Sequence, residues 1–240
     1  MQKQEKIVKM FDAIAPTYDV ANRVLSLGID IKWRREACEF ALSEYAKDDI
    51  SIVDVACGTG DMMKIWQDTA KKQGVNINSL IGVDPSNGML AKAREKFSDF
   101  NFKFIEAYAD NTTLKSASAD ILSISYGIRN VIERKEALKE FNRVLKNDGL
   151  VVVLEFTRRS KEGFISRLRD FYLQKILPKI GGFISKNKEA YEYLPNSIEG
   201  FLDAQTFCDE LRIYGFEIVF CKSFSADIST LFVAKKIRNC

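Results

Sequence analysis

The sequence predicts an α/β domain built around one mostly parallel β-sheet. Between residues 50 and 156, short apolar strands alternate with amphipathic helical stretches, which is typical of parallel strands joined by crossover helices. Two later strands, near 216–220 and 230–234, are separated by only a short turn, which predicts an antiparallel edge. A turn containing glycine follows the first strand, at the position where α/β domains bind nucleotides.

The predicted elements divide the chain of 240 residues into four consecutive segments of one domain. Residues 1–48 contain three amphipathic helices that precede the sheet and form an N-terminal helical cap. Residues 49–156 form the cofactor-binding core. Residues 157–200 are an insertion with helical apolar spacing, which predicts a lid, and residues 201–240 supply a C-terminal helix and the last strands. The five core strands are predicted at 52–55, 80–84, 102–106, 121–125 and 150–156.

Composition excludes several classes of chemistry. The chain has no histidine, which excludes Ser-His and Cys-His nucleophilic catalysis and imidazole metal ligands. Its five cysteines are scattered without a C-x-x-C pair, which favours free thiols in a reducing cytoplasm and predicts no metal site. No apolar run approaches the ~18 residues of a membrane span, and the N-terminal residues lack the apolar region of a signal peptide. We therefore expect a cytoplasmic protein.

Positive charge is concentrated in one segment. The net charge of the whole chain is only +3, which is too small to indicate nucleic-acid binding. Residues 157–188, however, hold nine Lys and Arg against two acids, and several aromatic residues lie between them. Two interpretations stay open: a solvated face of the lid, or a peripheral contact with an anionic membrane surface.

The turn after the first strand indicates the type of cofactor. Gly58 and Gly60 are present, but Met63 stands where the third glycine of a dinucleotide fingerprint would be, which disfavours an NAD-dependent oxidoreductase. The lysine and hydroxyl of a P-loop are also missing, so no phosphate site is predicted. Asp84 ends the second strand, close to the ~20-residue offset at which an acid binds ribose hydroxyls. An ordinary strand-to-helix turn remains the alternative.

Four stretches, in chain order, resemble the UbiE/MenG family of quinone methyltransferases. The first, residues 11–35, reads FDAIAPTYDVANRVLSLGIDIKWRR, and the second is the glycine turn, residues 54–61. The third, residues 125–131, reads SYGIRNV. The fourth combines LPKIGG at 177–182 with YEYLPNSI at 191–198. Together they span most of the chain.

The resemblance implies a class I S-adenosylmethionine-dependent methyltransferase fold. This fold is Rossmann-like, with a seven-stranded mostly parallel sheet, helices on both faces, an N-terminal helical cap and a helical lid insertion. The implied reaction is C-methylation of a prenylated hydroquinone: demethylmenaquinol to menaquinol, the corresponding ubiquinol precursor, or both. The implied catalytic residues are Arg129 and Asn130. The implied cofactor-binding residues are Gly58, Thr59, Gly60, Asp84, Tyr108, Ala109 and Ser125.

Departures from the family pattern leave alternatives open. Tyr108 replaces the usual Asp or Asn, Leu202 replaces a common proline, and residues 226–234 differ from the usual ending. The chain could therefore methylate another small apolar substrate, or bind the cofactor without catalysis. A nucleic-acid amino-methyltransferase is disfavoured, because residues 125–128 do not form the Asp/Asn-Pro-Pro-Tyr motif of such enzymes. The oligomeric state is not predicted.

Overall fold

The computed structural model describes residues 3–158, 187–225 and 227–237. Its single sheet has the strand order β3-β2-β1-β4-β5-β7-β6. The first five strands pair in parallel, and β7 is antiparallel to both β5 and β6. The strands are β1 Asp49–Val55, β2 Asn76–Asp84, β3 Phe102–Glu106, β4 Ala119–Ser125, β5 Leu145–Phe156, β6 Phe216–Phe224 and β7 Ser229–Lys236. The predicted seven-stranded sheet with an antiparallel edge is confirmed.

Helices cover both faces of this sheet. They are α1 Lys3–Ile14, α2 Tyr18–Ser26, α3 Ile29–Tyr45, α4 Asp61–Gln73, α5 Asn87–Lys96, α6 Arg134–Val144, α7 Lys188–Glu199 and α8 Ala204–Ile213, with 3-10 turns at Ala15–Thr17 and Ile128–Asn130. Side chains alternate along each strand, so β1 sends Val53 and Val55 into a core with α6 and α8. It sends Ile52 into the other core, which α3 and α4 close.

Several predicted boundaries in the core were wrong. Strands β1, β2 and β4 begin at Asp49, Asn76 and Ala119, two to four residues before the predicted starts at 52, 80 and 121. Strand β5 begins at Leu145, five residues before the predicted start at 150, and α6 ends at Val144 rather than near 146–149. The early start depends on a partner across the sheet, because Leu145 pairs with Ala119 before the ladder becomes irregular. Helix α3 begins at Ile29. Gly28, directly before it, adopts the left-handed region with φ 76°, which glycine tolerates because it has no Cβ.

Polar contacts fix the helical cap over the carboxyl ends of the strands. Asp12 on α1 accepts hydrogen bonds from the Ser86 hydroxyl at 2.6 Å and from the Gly88 amide at 2.9 Å, at the start of α5. Arg23 on α2 donates to Asp61 at 2.5 Å, at the start of α4. The cap therefore closes the sheet edge at which α/β domains bind their ligands.

The predicted lid is described only in part. Residues 159–186, which include most of the cationic segment, lie outside the described residues. The end of the insertion forms α7, and Ala190 and Ile198 pack there in a small apolar cluster with Ile14 and Ala21 of the cap. Among the described helices, none is both long enough and apolar enough to cross a bilayer.

Candidate active site

Two adjoining cavities lie between the cap and the carboxyl ends of the strands. The loop cavity, of about 80 Å³, is lined by the turns after β1 to β4 and by α1. The apolar cavity, of about 280 Å³, is lined by α1 to α3, by α7 and by residues after β4 and β5. Phe11, Tyr18 and Tyr126 line both, so these three rings mark the junction of the two spaces.

Gly58 and Asp84 form the polar floor of the loop cavity. Gly58 adopts φ +54°, and its amide donates to Asp84 Oδ2 at 2.8 Å. The Ser86 amide donates to the other carboxylate oxygen at 2.8 Å. Burial raises the pKa of Asp84 to about 6, although both amides oppose the shift. A carboxylate offers about four acceptor positions, so Asp84 can still accept hydrogen bonds from a ligand's hydroxyls.

Thr59 and Gly60 do not line either cavity. The Thr59 hydroxyl donates to Asp19 Oδ1 at 2.5 Å and so joins the glycine turn to the cap. Gly60 adopts φ +84° directly before α4, where a Cβ would lie 2.9 Å from Cε2 of Phe97. Both residues therefore shape the backbone of the turn in this structure.

The remaining predicted cofactor residues line the loop cavity. Tyr108 and Ala109 follow β3, with Asp110 next to them, and Ser125 ends β4. The Tyr108 side chain is at the rim, because the residue is exposed, whereas Ala109 is buried. The Ser125 hydroxyl accepts a hydrogen bond from Arg34 Nη1 at 2.8 Å. The structure thus brings five of the seven predicted cofactor residues to one cavity.

Arg129 and Asn130 face different cavities. Arg129 lines the apolar cavity and Asn130 the loop cavity. Arg129 Nη1 donates to Glu155 Oε1 at 2.6 Å and to the Tyr126 carbonyl at 2.7 Å. Asn130 Oδ1 accepts from the Tyr193 hydroxyl at 3.0 Å, and Tyr193 lies in the wall of the apolar cavity. The predicted catalytic pair therefore spans the boundary between the cavities.

Comparison with known proteins decides the family. The model of the ubiE/COQ5 methyltransferase family matches residues 1–236. The chain belongs to this family. The UbiE C-methyltransferase of ubiquinone/menaquinone biosynthesis from Campylobacter jejuni strain 81-176 is 62% identical over 237 residues, which cover 99% of this chain and 100% of that protein. The demethylmenaquinone methyltransferase of Chlorobaculum tepidum is 36% identical over 236 residues, covering 98% and 94%.

Solved structures show the same fold. A SAM-dependent methyltransferase from Aquifex aeolicus matches with a TM-score of 0.58 at 14% identity, covering 83% of this chain and 89% of that one. The [4+2]-cyclase SpnF matches with a TM-score of 0.61 at 16% identity, covering 85% and 81%. The expected class I methyltransferase fold is confirmed. Because a cyclase has the same fold, the fold alone does not fix the reaction.

Three further residues in or beside the cavity walls are not predicted as site residues by the sequence. Glu155 is a fully buried acid that follows the apolar run 150–154 of β5, and a lone charge at the end of such a run is the feature of the sequence that points to it. Tyr126 has φ +58°, and its ring packs on Phe156 with centroids 4.6 Å apart. Arg34 is buried in the cap. It lies four residues after Asp30 on α3, and this spacing of opposite charges is the feature of the sequence that points to it.

Asp54 lies beneath the glycine turn rather than in a cavity wall. Its Oδ1 accepts from the Ser123 hydroxyl at 2.6 Å, and that hydroxyl accepts from Trp66 Nε1 at 2.9 Å. Burial raises the pKa of Asp54 to about 7. Asp54 therefore orients β1 against β4. In the described part of the chain, no group of acids and cysteines is arranged to hold a metal ion.

Proposed function

We propose that this chain is an S-adenosylmethionine-dependent C-methyltransferase of quinone biosynthesis. Its substrate would be demethylmenaquinol, the corresponding ubiquinol precursor, or both, as the names of its relatives suggest. The observation that carries the proposal is the pair of adjoining cavities, one polar at Asp84 and one largely apolar, which share Phe11, Tyr18 and Tyr126 as lining residues. A polar cofactor and an apolar ring would meet where these three side chains border both cavities.

The residues of the loop cavity fit S-adenosylmethionine. Asp84 would accept hydrogen bonds from the two ribose hydroxyls with its remaining lone pairs. Gly58, Ala109 and Ser125 would contact the cofactor through small side chains or backbone, and Tyr108 would stack at the rim. Thr59 and Gly60 would act through the shape of the turn. When bound, the sulfonium group supplies an already activated methyl group, so the protein needs no nucleophile of its own.

The apolar cavity would hold the hydroquinone ring and part of its tail. A ring carbon becomes nucleophilic when the neighbouring hydroxyl loses its proton, so the site must orient the ring and favour that loss. We assign Arg129 to holding a ring oxygen or a proton-accepting water, and Asn130, through Tyr193, to orienting the ring. Leu27 lines the cavity yet is 91% exposed, so it marks the opening through which a long tail would leave.

Product analysis tests this function. Purified protein would be incubated with S-adenosylmethionine and, in separate reactions, with demethylmenaquinol and the demethylated ubiquinol precursor. We expect one added methyl group on at least one quinol, detected by mass spectrometry, and little product from Arg129→Ala. Cofactor binding without product from either quinol would contradict the proposal and favour another small apolar substrate or a non-catalytic protein.

We further propose that the enzyme works in the cytoplasm, in peripheral contact with the membrane that holds its prenylated substrate. The support is the excess of cations in residues 157–188, of which only the ends are described. Each cation near an anionic surface contributes ~1 kcal/mol, so we expect co-sedimentation with anionic but not neutral vesicles, and release in high salt. If a variant with Gln at Arg158, Arg159, Lys161 and Arg167 keeps both vesicle binding and activity on long-tailed substrate, the segment is only a solvated surface.

A further inference from the structure

Arg34 lies in the wall of the apolar cavity with an unpaired donor. The Nε of Arg34 is buried and has no hydrogen-bond partner. Among the described residues it is the one buried side-chain nitrogen or oxygen in this situation. The residue is only 9% exposed. Leaving a buried donor of a charged group unpaired is costly, and such groups in native proteins usually have a functional explanation.

The nearest acid does not satisfy Arg34. Asp30 Oδ2 is 3.6 Å from Arg34 Nε, which is too long for a hydrogen bond. The Asp30 carboxylate already accepts from Arg23 Nη1 at 2.8 and 2.7 Å and from the Ser26 hydroxyl at 2.6 Å. Buried Asp54 interacts electrostatically with Arg34, but burial raises the pKa of Asp54 to about 7, which weakens its charge near neutral pH. Arg34 therefore forms an ion pair with Asp30 that lacks a hydrogen bond, and it shares this carboxylate with Arg23.

The other cavity arginine is in the opposite situation. Arg129 donates to fully buried Glu155 at 2.6 Å, and its Nε donates to the Ser197 hydroxyl at 3.2 Å. Burial raises the pKa of Glu155, and the Arg129 charge opposes that shift. When it is ionised, a carboxylate at this distance in a buried site neutralises most of the field of the guanidinium. Of the two arginines in the cavity wall, Arg34 is thus the stronger source of positive potential.

Arg34 is also at the junction of the two cavities. Its guanidinium carbon is 5.1 Å from the centroid of the Tyr126 ring, which lines both cavities. Its Nη1 donates to the hydroxyl of Ser125, which lines the loop cavity. An aromatic ring in the apolar cavity would meet a cofactor in the loop cavity close to this guanidinium.

We propose that Arg34 binds the ring oxygen of the substrate as that oxygen becomes an anionic phenolate. The inference rests on the proposed function and names the group that favours ionisation. The hydroxyl proton passes to water, and the negative charge stays beside Arg34 until the ring carbon takes the methyl group. The carbon–sulfur bond breaks as the new carbon–carbon bond forms. The methylated ring carbon then loses its hydrogen as a proton to water, and the ring oxygen takes back one proton, which restores the hydroquinone and leaves one proton released overall. Arg129, with its own counter-ion, holds the second ring oxygen or the proton-accepting water.

A chromogenic phenol separates the two arginines without any turnover. 4-Nitro-1-naphthol absorbs visible light only when ionised, so absorbance across pH reports the pKa of the bound probe. Wild-type protein should bind the ionised form at least about tenfold more tightly than the neutral form, as expected for a charge-assisted hydrogen bond. Arg34→Gln should lose about tenfold of this preference, and Arg34→Lys should keep most of it.

Three controls make the result specific. Arg35→Gln removes an exposed cation next to Arg34 on the same helix and should change nothing. The double variant Arg129→Gln with Glu155→Gln removes a neutral pair and should leave the probe's preference within about threefold. Unchanged cofactor affinity in Arg34→Lys shows that the site remains folded.

The outcomes distinguish this inference from the proposed function. Loss of the preference in Arg34→Gln supports the role of Arg34 even if neither quinol is methylated. The inference is overturned if wild-type protein shows no preference for the ionised probe, if Arg34→Gln keeps it, or if the double variant loses it equally. With an active quinol substrate, Arg34→Gln should also recover turnover at high pH, where the hydroxyl ionises unaided, whereas a merely structural loss would not recover.

Discussion

Replacing Asp84 with alanine should weaken S-adenosylmethionine binding by about ten- to 150-fold. This factor corresponds to the ~1.5–3 kcal/mol that hydrogen bonds to a charged acceptor contribute. The structure adds a second loss, because the same carboxylate fixes the amides of Gly58 and Ser86, each at 2.8 Å. Removing it leaves the glycine turn less well defined, so the larger end of the range is expected.

The pH dependence of binding gives the same prediction an independent readout. The pKa of Asp84 in the free protein is raised to about 6, so the carboxylate is largely ionised at pH 7 and largely protonated at pH 5. Protonation removes the charged acceptor, so the affinity of wild-type protein should fall as the pH decreases through 6, by up to about tenfold per unit. The cofactor affinity of Asp84→Ala should not show this fall as the pH decreases through 6.

Isothermal titration calorimetry between pH 5 and 8 measures both effects. Asp99→Ala, which removes an exposed aspartate, is the matched control and should bind like wild type. Thermal unfolding of each variant separates loss of binding from loss of the fold. Wild-type affinity in folded Asp84→Ala, or the same dependence on pH in that variant, would refute the role of Asp84.

Three further predictions concern catalysis and stability. Arg129→Ala should remove most turnover but little cofactor affinity, since Arg129 lines the apolar cavity and not the loop cavity. It should also lower the unfolding free energy by about 3–5 kcal/mol, because the buried carboxylate of Glu155 loses its partner. Equal losses of cofactor affinity and turnover would contradict the assigned role. The pKa of Asp54 is raised to about 7, so ionisation of Asp54 should lower the free energy of unfolding progressively as the pH rises from about 4 to 7. Above pH 7, Asp54 should add nothing to the pH dependence of that free energy. Subtracting urea-unfolding data for Asp54→Asn should isolate this pH dependence. Gly60→Ala should cost more stability than Gly74→Ala: both have φ above +70°, but only the Gly60 Cβ would meet Phe97, at 2.9 Å; equal melting temperatures would disprove the contact's role.

The sequence by itself determined the architecture and the place of the cofactor cavity. Hydrophobic periodicity is a local property, so the alternation of strands and helices predicted the parallel sheet and its antiparallel edge. The glycine turn and Asp84 each follow a strand, and parallel strands end at one edge, so their meeting at Gly58 was implied by order alone. The four family motifs added the expected chemistry, because they preserve residue types at fixed spacing.

Only the tertiary structure decided which polar groups are partners. The Thr59 hydroxyl binds Asp19, 40 residues away, rather than pointing into a cavity. Arg129 is compensated by Glu155 across 26 residues, while Arg34 reaches Ser125 across 91 and is left with an unpaired nitrogen. The pairings of Thr59 and Arg34 depend on how the cap docks on the sheet, and that of Arg129 depends on β4 and β5 being neighbours. No local pattern encodes such long-range partners. The electrostatic difference between the two arginines follows from these pairings.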